Sequence, residues 1–269
     1  MPLIAGALIV GALVGGVQLL PLLDAVGSSQ RTVWSLASSL SFSLAPVDIV
    51  QLWSPVAFDS RPSIEELGVH EFIVYNGAFC TAAIAWIALR RGALERHRLA
   101  VALLVFATVA LFLAFGKYTG LYPALLAVPG LRWFRAPSRH LILYHLSISI
   151  LAAMVFADLA ALVRRGERIP VRRLWPLAIP SALSVATAIA TWQVGIFRGF
   201  RLAGLSDTVP WVLMFLVVLS LFAAAARGAR WALPMLVVAV AVDQGVFGFH
   251  YVYGDPLQPM RTIDALGAR

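Results

Sequence analysis

The chain has 269 residues, of which 61% are hydrophobic and 13% are charged, and its mean hydropathy is +0.86. Because a soluble domain carries about 25% charged residues, this composition excludes a soluble globular protein. The 21 basic and 13 acidic residues give a formal net charge of +8. All the basic residues except Lys117 are arginines, mostly at the ends of apolar segments, so we expect membrane lipids rather than nucleic acid as partners.

Long apolar segments recur along the chain, and each approaches the roughly 20 residues that a helix needs to cross a bilayer. They predict an all-α polytopic bundle, a single membrane domain over residues 1–269 with about seven transmembrane helices. The short apolar stretches in the connections predict interfacial helices on the outer leaflet, at 33–44, 47–53 and 121–131. The predicted spans are 3–23, 72–88, 99–115, 141–163, 174–194, 211–226 and 231–249, and the connection 24–71 is a long outside loop.

Three connections, 90–98, 164–173 and 227–230, are short and rich in arginine, and their alternation places them on one side of the membrane. By the positive-inside rule this side is cytoplasmic, so the N-terminus is predicted inside and the C-terminus outside. Four basic residues then gather on the outside, against that rule: Lys117, Arg132, Arg135 and Arg139. Positive charge in this position favours the binding of an anion.

The segment 111–139 reads LFLAFGKYTGLYPALLAVPGLRWFRAPSR, with a glycine turn, a Leu-Tyr-Pro element and the pattern P-x-x-x-x-FR-x-P-x-R. Four further stretches follow the same family order: GGVQLLPLLDAVGSSQR, SLAPVDIVQLWSPVAF, EFIVYNG and VDQGVFGFHYVYGDPLQP. Together they make the chain similar to the YfhO family of bacterial integral membrane proteins along essentially its whole length.

The resemblance implies the chemistry of the wider GT-C group of membrane glycosyltransferases. These enzymes transfer a sugar from a polyprenyl-phosphate carrier to a cell-envelope glycopolymer acceptor, at the outer face of the bacterial cytoplasmic membrane. The chain has no counterpart of the N-terminal block that usually carries an essential acid, so we expect it to correspond to a central portion of the family. A non-catalytic scaffold or lipid-binding subunit is therefore the alternative function, and a transporter ranks last.

The resemblance also implies substrate-binding residues. Arg135 and Arg139 are expected to hold the leaving phosphate, a task that suits guanidinium groups, with Lys117 and Arg132 as auxiliary charges. The alternative is that the two arginines extend to lipid headgroups, as arginines at span ends commonly do.

Glu71 is the candidate catalytic residue, at the outer start of the second span. It lies four residues before Tyr75, a further candidate substrate-binding residue, so we expect both side chains on one face of a helix. The carboxylate either activates an acceptor hydroxyl or holds a divalent ion that bridges the donor phosphate. The alternative is an ordinary interfacial ion pair with an arginine.

Two aspartates fall within predicted spans. Asp243 is a further candidate binding residue, because an ionisable group there costs roughly 2.5–3.5 kcal/mol to bury, and a structural hydrogen bond to another helix is the alternative. Asp158 is expected to pair with Arg164 or Arg165. We predict no metal ligands among the histidines, since His140 and His145 are five residues apart, and the need for a divalent metal stays open.

Overall fold

The computed structural model describes residues 6, 10, 13, 39–60, 69–90, 94–128, 136–194, 196–197 and 200–253. This part of the chain is a bundle of helices, which confirms the predicted all-α membrane class. Its α-helices are α1 (Ala78–Leu89), α2 (His97–Ala114), α3 (Leu121–Leu126), α4 (Leu141–Arg165), α5 (Ala178–Val194), α6 (Leu205–Ala226) and α7 (Ala232–Tyr253). Two short 3-10 helices precede α1, at Pro46–Leu52 and Val69–Phe72. Four more lie between the later helices, at Gly116–Tyr118, Pro137–His140, Val171–Arg173 and Trp175–Leu177.

Five helical segments of the described chain are long and apolar enough to cross a membrane, so the chain is a membrane protein. They are His97–Ala114, Pro137–Arg165, Trp175–Val194, Leu205–Ala226 and Ala232–Phe249. Each overlaps one of the predicted spans. The predicted span 3–23 lies outside the described residues, apart from three single positions.

Small residues allow close packing inside the bundle. The buried residues of α2 are all alanines, Ala100, Ala107, Ala110 and Ala114, and this helix packs mainly on α4. Small side chains let two backbones approach each other, which is how helices associate where lipid removes the hydrophobic driving force. Larger apolar side chains on the other face of α2 are exposed, among them Val105, Phe106 and Phe112. That face is therefore suited to contact lipid.

The second predicted span, 72–88, differs from a single helix. Helix α1 begins only at Ala78 and has 12 residues, which rise about 18 Å, less than the roughly 30 Å of a hydrocarbon core. Residues 73–77 before it are not helical, and Gly77 at the helix start has φ +100°. An apolar run has the same hydropathy in either conformation, so hydropathy does not reveal where the helix begins.

Side chains from other segments satisfy the backbone of this non-helical stretch. The Gln51 amide donates to Phe72 O and accepts from Val74 N, both at 3.1 Å. His145 Nε2 donates to Ile73 O at 3.0 Å. Non-helical backbone is tolerated at membrane depth only where protein groups replace the missing helical hydrogen bonds, and these side chains do so.

The three arginine-rich connections meet at one end of the bundle, which we call the arginine end. Asp158 joins α4 to α1 there, accepting from Arg90 Nε at 3.2 Å and from Trp86 Nε1 at 2.8 Å. Ile169 N donates to Ala226 O at 2.9 Å and ties the α4–α5 connection to the end of α6. The predicted partners of Asp158, Arg164 and Arg165, are not the ones found, because its carboxylate faces α1 rather than the last turn of its own helix.

The opposite end, which we call the turn end, carries a small antiparallel sheet that the sequence did not predict. Its strands are β1 (Phe58–Ser60), β2 (Ile196–Phe197) and β3 (Phe200–Leu202), in the order β1-β3-β2. Phe58 pairs with Leu202, so the sheet joins the connection before α1 to the connection after α5. Strands of two or three residues are too short to show an alternating pattern.

Two of the three stretches predicted as interfacial helices are helical in the described chain and lie at the turn end. The 3-10 helix Pro46–Leu52 corresponds to the predicted stretch 47–53, and α3 corresponds to the first half of 121–131. The stretch 33–44 is described only from residue 39.

Candidate functional site

Two strained backbone positions lie at and against the 3-10 turn Pro137–His140, just before α4 at the turn end. Ala136 (φ +60°) and Phe42 (φ +59°) are the non-glycine residues with positive φ among those described. The two positions are linked, since Ser138 N donates to Phe42 O at 3.1 Å. Each left-handed residue costs roughly 1–2 kcal/mol, and such strain tends to cluster at functional sites.

A glycine allows a second segment to pack against this turn. Gly116 has φ +49°, and a Cβ at this position would lie 2.6 Å from Pro137 Cγ. The next residue, Lys117, donates its backbone N–H to Ser43 Oγ at 3.0 Å. The end of α2 is thereby held on the turn that begins α4.

Arg139 and Glu71 form an ion pair on this turn. The Nε and Nη2 atoms of Arg139 both donate to Glu71 Oε1, at 2.9 and 2.8 Å. The Arg139 side chain is 56% exposed, whereas that of Glu71 is 14% exposed. The second carboxylate oxygen, Glu71 Oε2, is buried and has no hydrogen-bond partner. The geometry thus contains the ion pair and, on the same carboxylate, a free acceptor.

Two buried hydroxyl groups, one in this turn and one on a residue that contacts it, also lack partners. Ser138 and Tyr122 are each 1% exposed, and neither hydroxyl has a hydrogen-bond partner. Ser138 precedes Arg139, and the Tyr122 ring packs edge-on against His140, with 5.6 Å between ring centroids. In the described chain, three of the five buried side-chain atoms without a partner therefore belong to residues in this turn or in contact with it. We call Glu71, Tyr122, Ser138 and Arg139 the turn cluster.

The other predicted cationic residues are not shown in contact with Glu71. Lys117 lies at the turn end and is exposed, with its ammonium group 5.2 Å from the centre of the Tyr118 ring. Arg132 and Arg135 lie outside the described residues. The structure therefore brings Arg139 into contact with Glu71 and places Lys117 at the same end of the bundle.

Tyr75 and Asp243 form a separate, buried contact. Asp243 is 1% exposed, and its Oδ1 accepts from the Tyr75 hydroxyl at 2.6 Å while its Oδ2 accepts from Ala78 N at 2.8 Å. Both carboxylate oxygens are thus used by protein donors, one of them at the first turn of α1. This geometry supports the structural alternative for Asp243.

Tyr75 and Glu71 do not share a helical face. Glu71 belongs to the 3-10 helix Val69–Phe72, and Tyr75 lies in the non-helical stretch that follows it. The expectation of a common face was wrong because it assumed a continuous helix from residue 72.

Sequence reasoning did not single out Tyr122 and Ser138. Both stand inside the segment 111–139 that carries the family resemblance, so its Leu-Tyr-Pro and P-x-R elements were the available signal. Among the described residues there is no group of three or more His, Cys, Asp or Glu side chains that could hold a metal ion. No family model, curated protein sequence or solved structure matches the chain.

Proposed function

We propose that the chain is a YfhO-like membrane glycosyltransferase that binds a polyprenyl-phosphate-linked sugar at the turn cluster and transfers the sugar to a cell-envelope glycopolymer. The observation that supports this proposal most is the state of the Glu71 carboxylate. Arg139 holds one oxygen, and the other is buried without a partner. A carboxylate with one oxygen held by an arginine and the other without a hydrogen-bond partner is suited to accept a proton from a substrate hydroxyl.

In the proposed reaction, the oxygen of an acceptor hydroxyl attacks the anomeric carbon of the donor sugar, and Glu71 Oε2 takes the proton of that hydroxyl. The bond between the anomeric carbon and the phosphate oxygen breaks, and polyprenyl phosphate leaves with the bonding electrons. The products are the glycosylated acceptor and polyprenyl phosphate, with the proton on Glu71. The exposed guanidinium of Arg139 is suited to stabilise the charge that develops on the leaving phosphate.

The direct test is a transfer assay with the full chain in liposomes. The donors are polyprenyl-phosphate hexoses with a radiolabelled sugar, and the acceptor is purified bacterial cell-envelope glycopolymer. Label in the polymer above the level of protein-free liposomes is the expected result. Donor binding without any transfer contradicts catalysis and supports the non-catalytic lipid-binding alternative.

Replacing Arg139 with alanine should weaken the binding of polyprenyl phosphate by about 10- to 100-fold, because a charge-assisted hydrogen bond contributes roughly 1.5–3 kcal/mol. Arg139→Lys keeps the charge but loses the planar guanidinium group. The affinity of this variant should therefore lie between those of wild type and Arg139→Ala. Affinity is measured by equilibrium binding to the purified variants.

Arg165→Ala is the matched control for this prediction. Arg165 is also exposed and also pairs with a glutamate, Glu167, at 3.8 Å, but at the arginine end. Its loss should leave the affinity unchanged. Equal affinities of wild type and Arg139→Ala for polyprenyl phosphate contradict the assigned role.

We further propose that the turn end faces the outside of the bacterial cytoplasmic membrane, because the arginine end then obeys the positive-inside rule. With the single cysteine removed as Cys80→Ala, Lys117→Cys should react with a membrane-impermeant thiol reagent in intact cells, and Arg165→Cys only after lysis. Both positions are exposed in the described chain. The reverse pattern of labelling contradicts this orientation.

A further inference from the structure

We propose that Arg168, Arg227 and Arg230 form a binding site at the arginine end for the phosphate of an anionic phospholipid headgroup. We call these three residues the arginine site. They come from two different connections, 164–173 and 227–230. The site lies at the other end of the bundle from the turn cluster, so it does not depend on the proposed function.

The fold brings the two connections into contact. A backbone hydrogen bond ties the α4–α5 connection to the end of α6. The Arg168 side chain then lies across Gly228, since a Cβ at position 228 would be 3.7 Å from Arg168 Cγ and 3.8 Å from its Nε. Arg227 directly precedes Gly228 in this turn, and Arg230 follows it by two positions. A guanidinium group from one connection is therefore held on the turn that carries the other two.

The three side chains are available to a ligand. All three residues are exposed, and in the described chain their guanidinium groups form no ion pair and no hydrogen bond. The two connections contain seven arginines and one acid, Glu167, which contacts Arg165 at 3.8 Å. No protein carboxylate thus neutralises the arginine site, and its positive potential attracts an anion.

Two general reasons for arginines at this end do not account for the contact. The positive-inside rule is satisfied by basic residues anywhere in these connections. The negative end of a helix dipole favours basic residues within the last turn, whereas α4 ends at Arg165 and Arg168 lies beyond it. A shared anionic ligand does account for the position of Arg168 on the Gly228 turn.

Exposed tryptophans indicate which anion is present at this depth. Trp231 directly follows Arg230 and is 61% exposed, and Trp175 in the other connection region is 67% exposed. Exposed tryptophans favour the level of the lipid headgroups, where phospholipid phosphates are concentrated. Guanidinium groups bind phosphate through paired hydrogen bonds, and basic clusters between transmembrane helices at this level bind anionic headgroups. A soluble phosphate has the same chemistry but is not concentrated there.

The test measures equilibrium binding to the full chain in detergent. The probes are phosphatidylglycerol, phosphatidylcholine and inorganic pyrophosphate. Wild type should bind phosphatidylglycerol about tenfold more tightly than phosphatidylcholine, whose headgroup also carries a positive charge. The triple variant Arg168→Gln, Arg227→Gln and Arg230→Gln should lower the affinity for phosphatidylglycerol by about 10- to 100-fold and remove the preference.

A matched pair of double variants separates a site from diffuse positive charge. Arg168→Gln with Arg230→Gln removes two charges of the arginine site. Arg96→Gln with Arg98→Gln removes two exposed charges at the same end, where α2 starts. Only the first pair should weaken the binding of phosphatidylglycerol. Equal losses in the two double variants overturn the arginine site and assign the binding to the overall charge.

A second measurement follows the fold. Because the three guanidinium groups have no partner in the described chain, the glutamine variants should keep the Tm of lipid-free wild type. Phosphatidylglycerol should raise the Tm of wild type more than phosphatidylcholine does, since it binds the folded chain more tightly. Equal Tm and equal affinity with both lipids overturn the proposal without the use of any variant.

Pyrophosphate distinguishes the two sources of phosphate. It should bind wild type more weakly than phosphatidylglycerol does. If pyrophosphate binds as tightly and depends on the same three arginines, the site belongs to a soluble phosphate and the assignment to a lipid is overturned. Glu71 and Arg139 are intact in every variant, so loss of phosphatidylglycerol binding leaves the proposed function at the turn cluster unaffected.

Discussion

Replacing Glu71 with glutamine should lower the rate of sugar transfer by about 10²- to 10⁴-fold, the usual contribution of a general base. The amide has nearly the same shape, and its oxygen still accepts a hydrogen bond from Arg139. It cannot take up the proton that the acceptor hydroxyl must lose. The affinity for the donor should therefore change little, and the defect should appear in kcat. The measurement is the transfer assay in liposomes.

The control for this prediction is Glu167→Gln. Glu167 also pairs with an arginine, but its side chain is 50% exposed and it lies at the arginine end, so its replacement should not affect transfer. Adding EDTA separates the two functional readings of Glu71, since a base works without a metal whereas a divalent-ion ligand loses its role. Full activity of Glu71→Gln excludes Glu71 as the base.

Asp243→Ala should destabilise the bundle by about 2–4 kcal/mol, the largest loss of stability that we expect from a single substitution. It removes both acceptors of a buried carboxylate and leaves the Tyr75 hydroxyl and Ala78 N–H without partners. Both donors are buried, so no water replaces the lost hydrogen bonds. The measurement is the denaturation of the purified chain in mixed micelles, followed by circular dichroism.

Asp243→Asn separates the hydrogen bonds from the charge. Its amide oxygen can accept from Ala78 N–H while its NH₂ donates to the Tyr75 oxygen, because a tyrosine hydroxyl also accepts. We therefore expect a much smaller loss of stability. Asp207, which accepts from Gly204 N at the exposed start of α6, is the matched carboxylate. If Asp207→Ala destabilises as much as Asp243→Ala, the buried position of Asp243 has no special role.

The overall helical fold followed from the sequence because hydropathy acts locally. A run of apolar residues long enough to cross the bilayer is itself the physical reason for a spanning helix, as α4 and α6 illustrate. The start of α1 did not follow, because it depends on Gln51 and His145, which satisfy its preceding backbone from other parts of the chain. Such long-range hydrogen bonds leave no periodic pattern.

The candidate site was predictable only in part for the same reason. The sequence offered an ion pair with an interfacial arginine as the alternative for Glu71 and indicated that positive charge gathers at this end. It did not identify Arg139 as the partner, because that contact joins residues 68 positions apart. Tyr122 and Ser138 were missed because what distinguishes them is that their buried hydroxyls lack a hydrogen-bond partner. That property can be seen only when the surrounding structure is known. The pairing of Asp158 with Arg90 was missed for the same reason, because it depends on the packing of α4 against the end of α1.

The hydrogen bond between Asp243 and the start of α1 has a consequence for biosynthesis. The two residues are 165 positions apart, and at 5–20 residues per second the ribosome needs roughly 10–30 s to make the intervening chain. During that time the first turn of α1 and the non-helical stretch 73–77 before it lack the Asp243 carboxylate that accepts their hydrogen bonds. The second span should therefore reach its final depth only after α7 has entered the membrane, and a chain that ends before Asp243 should be a substrate for membrane quality control.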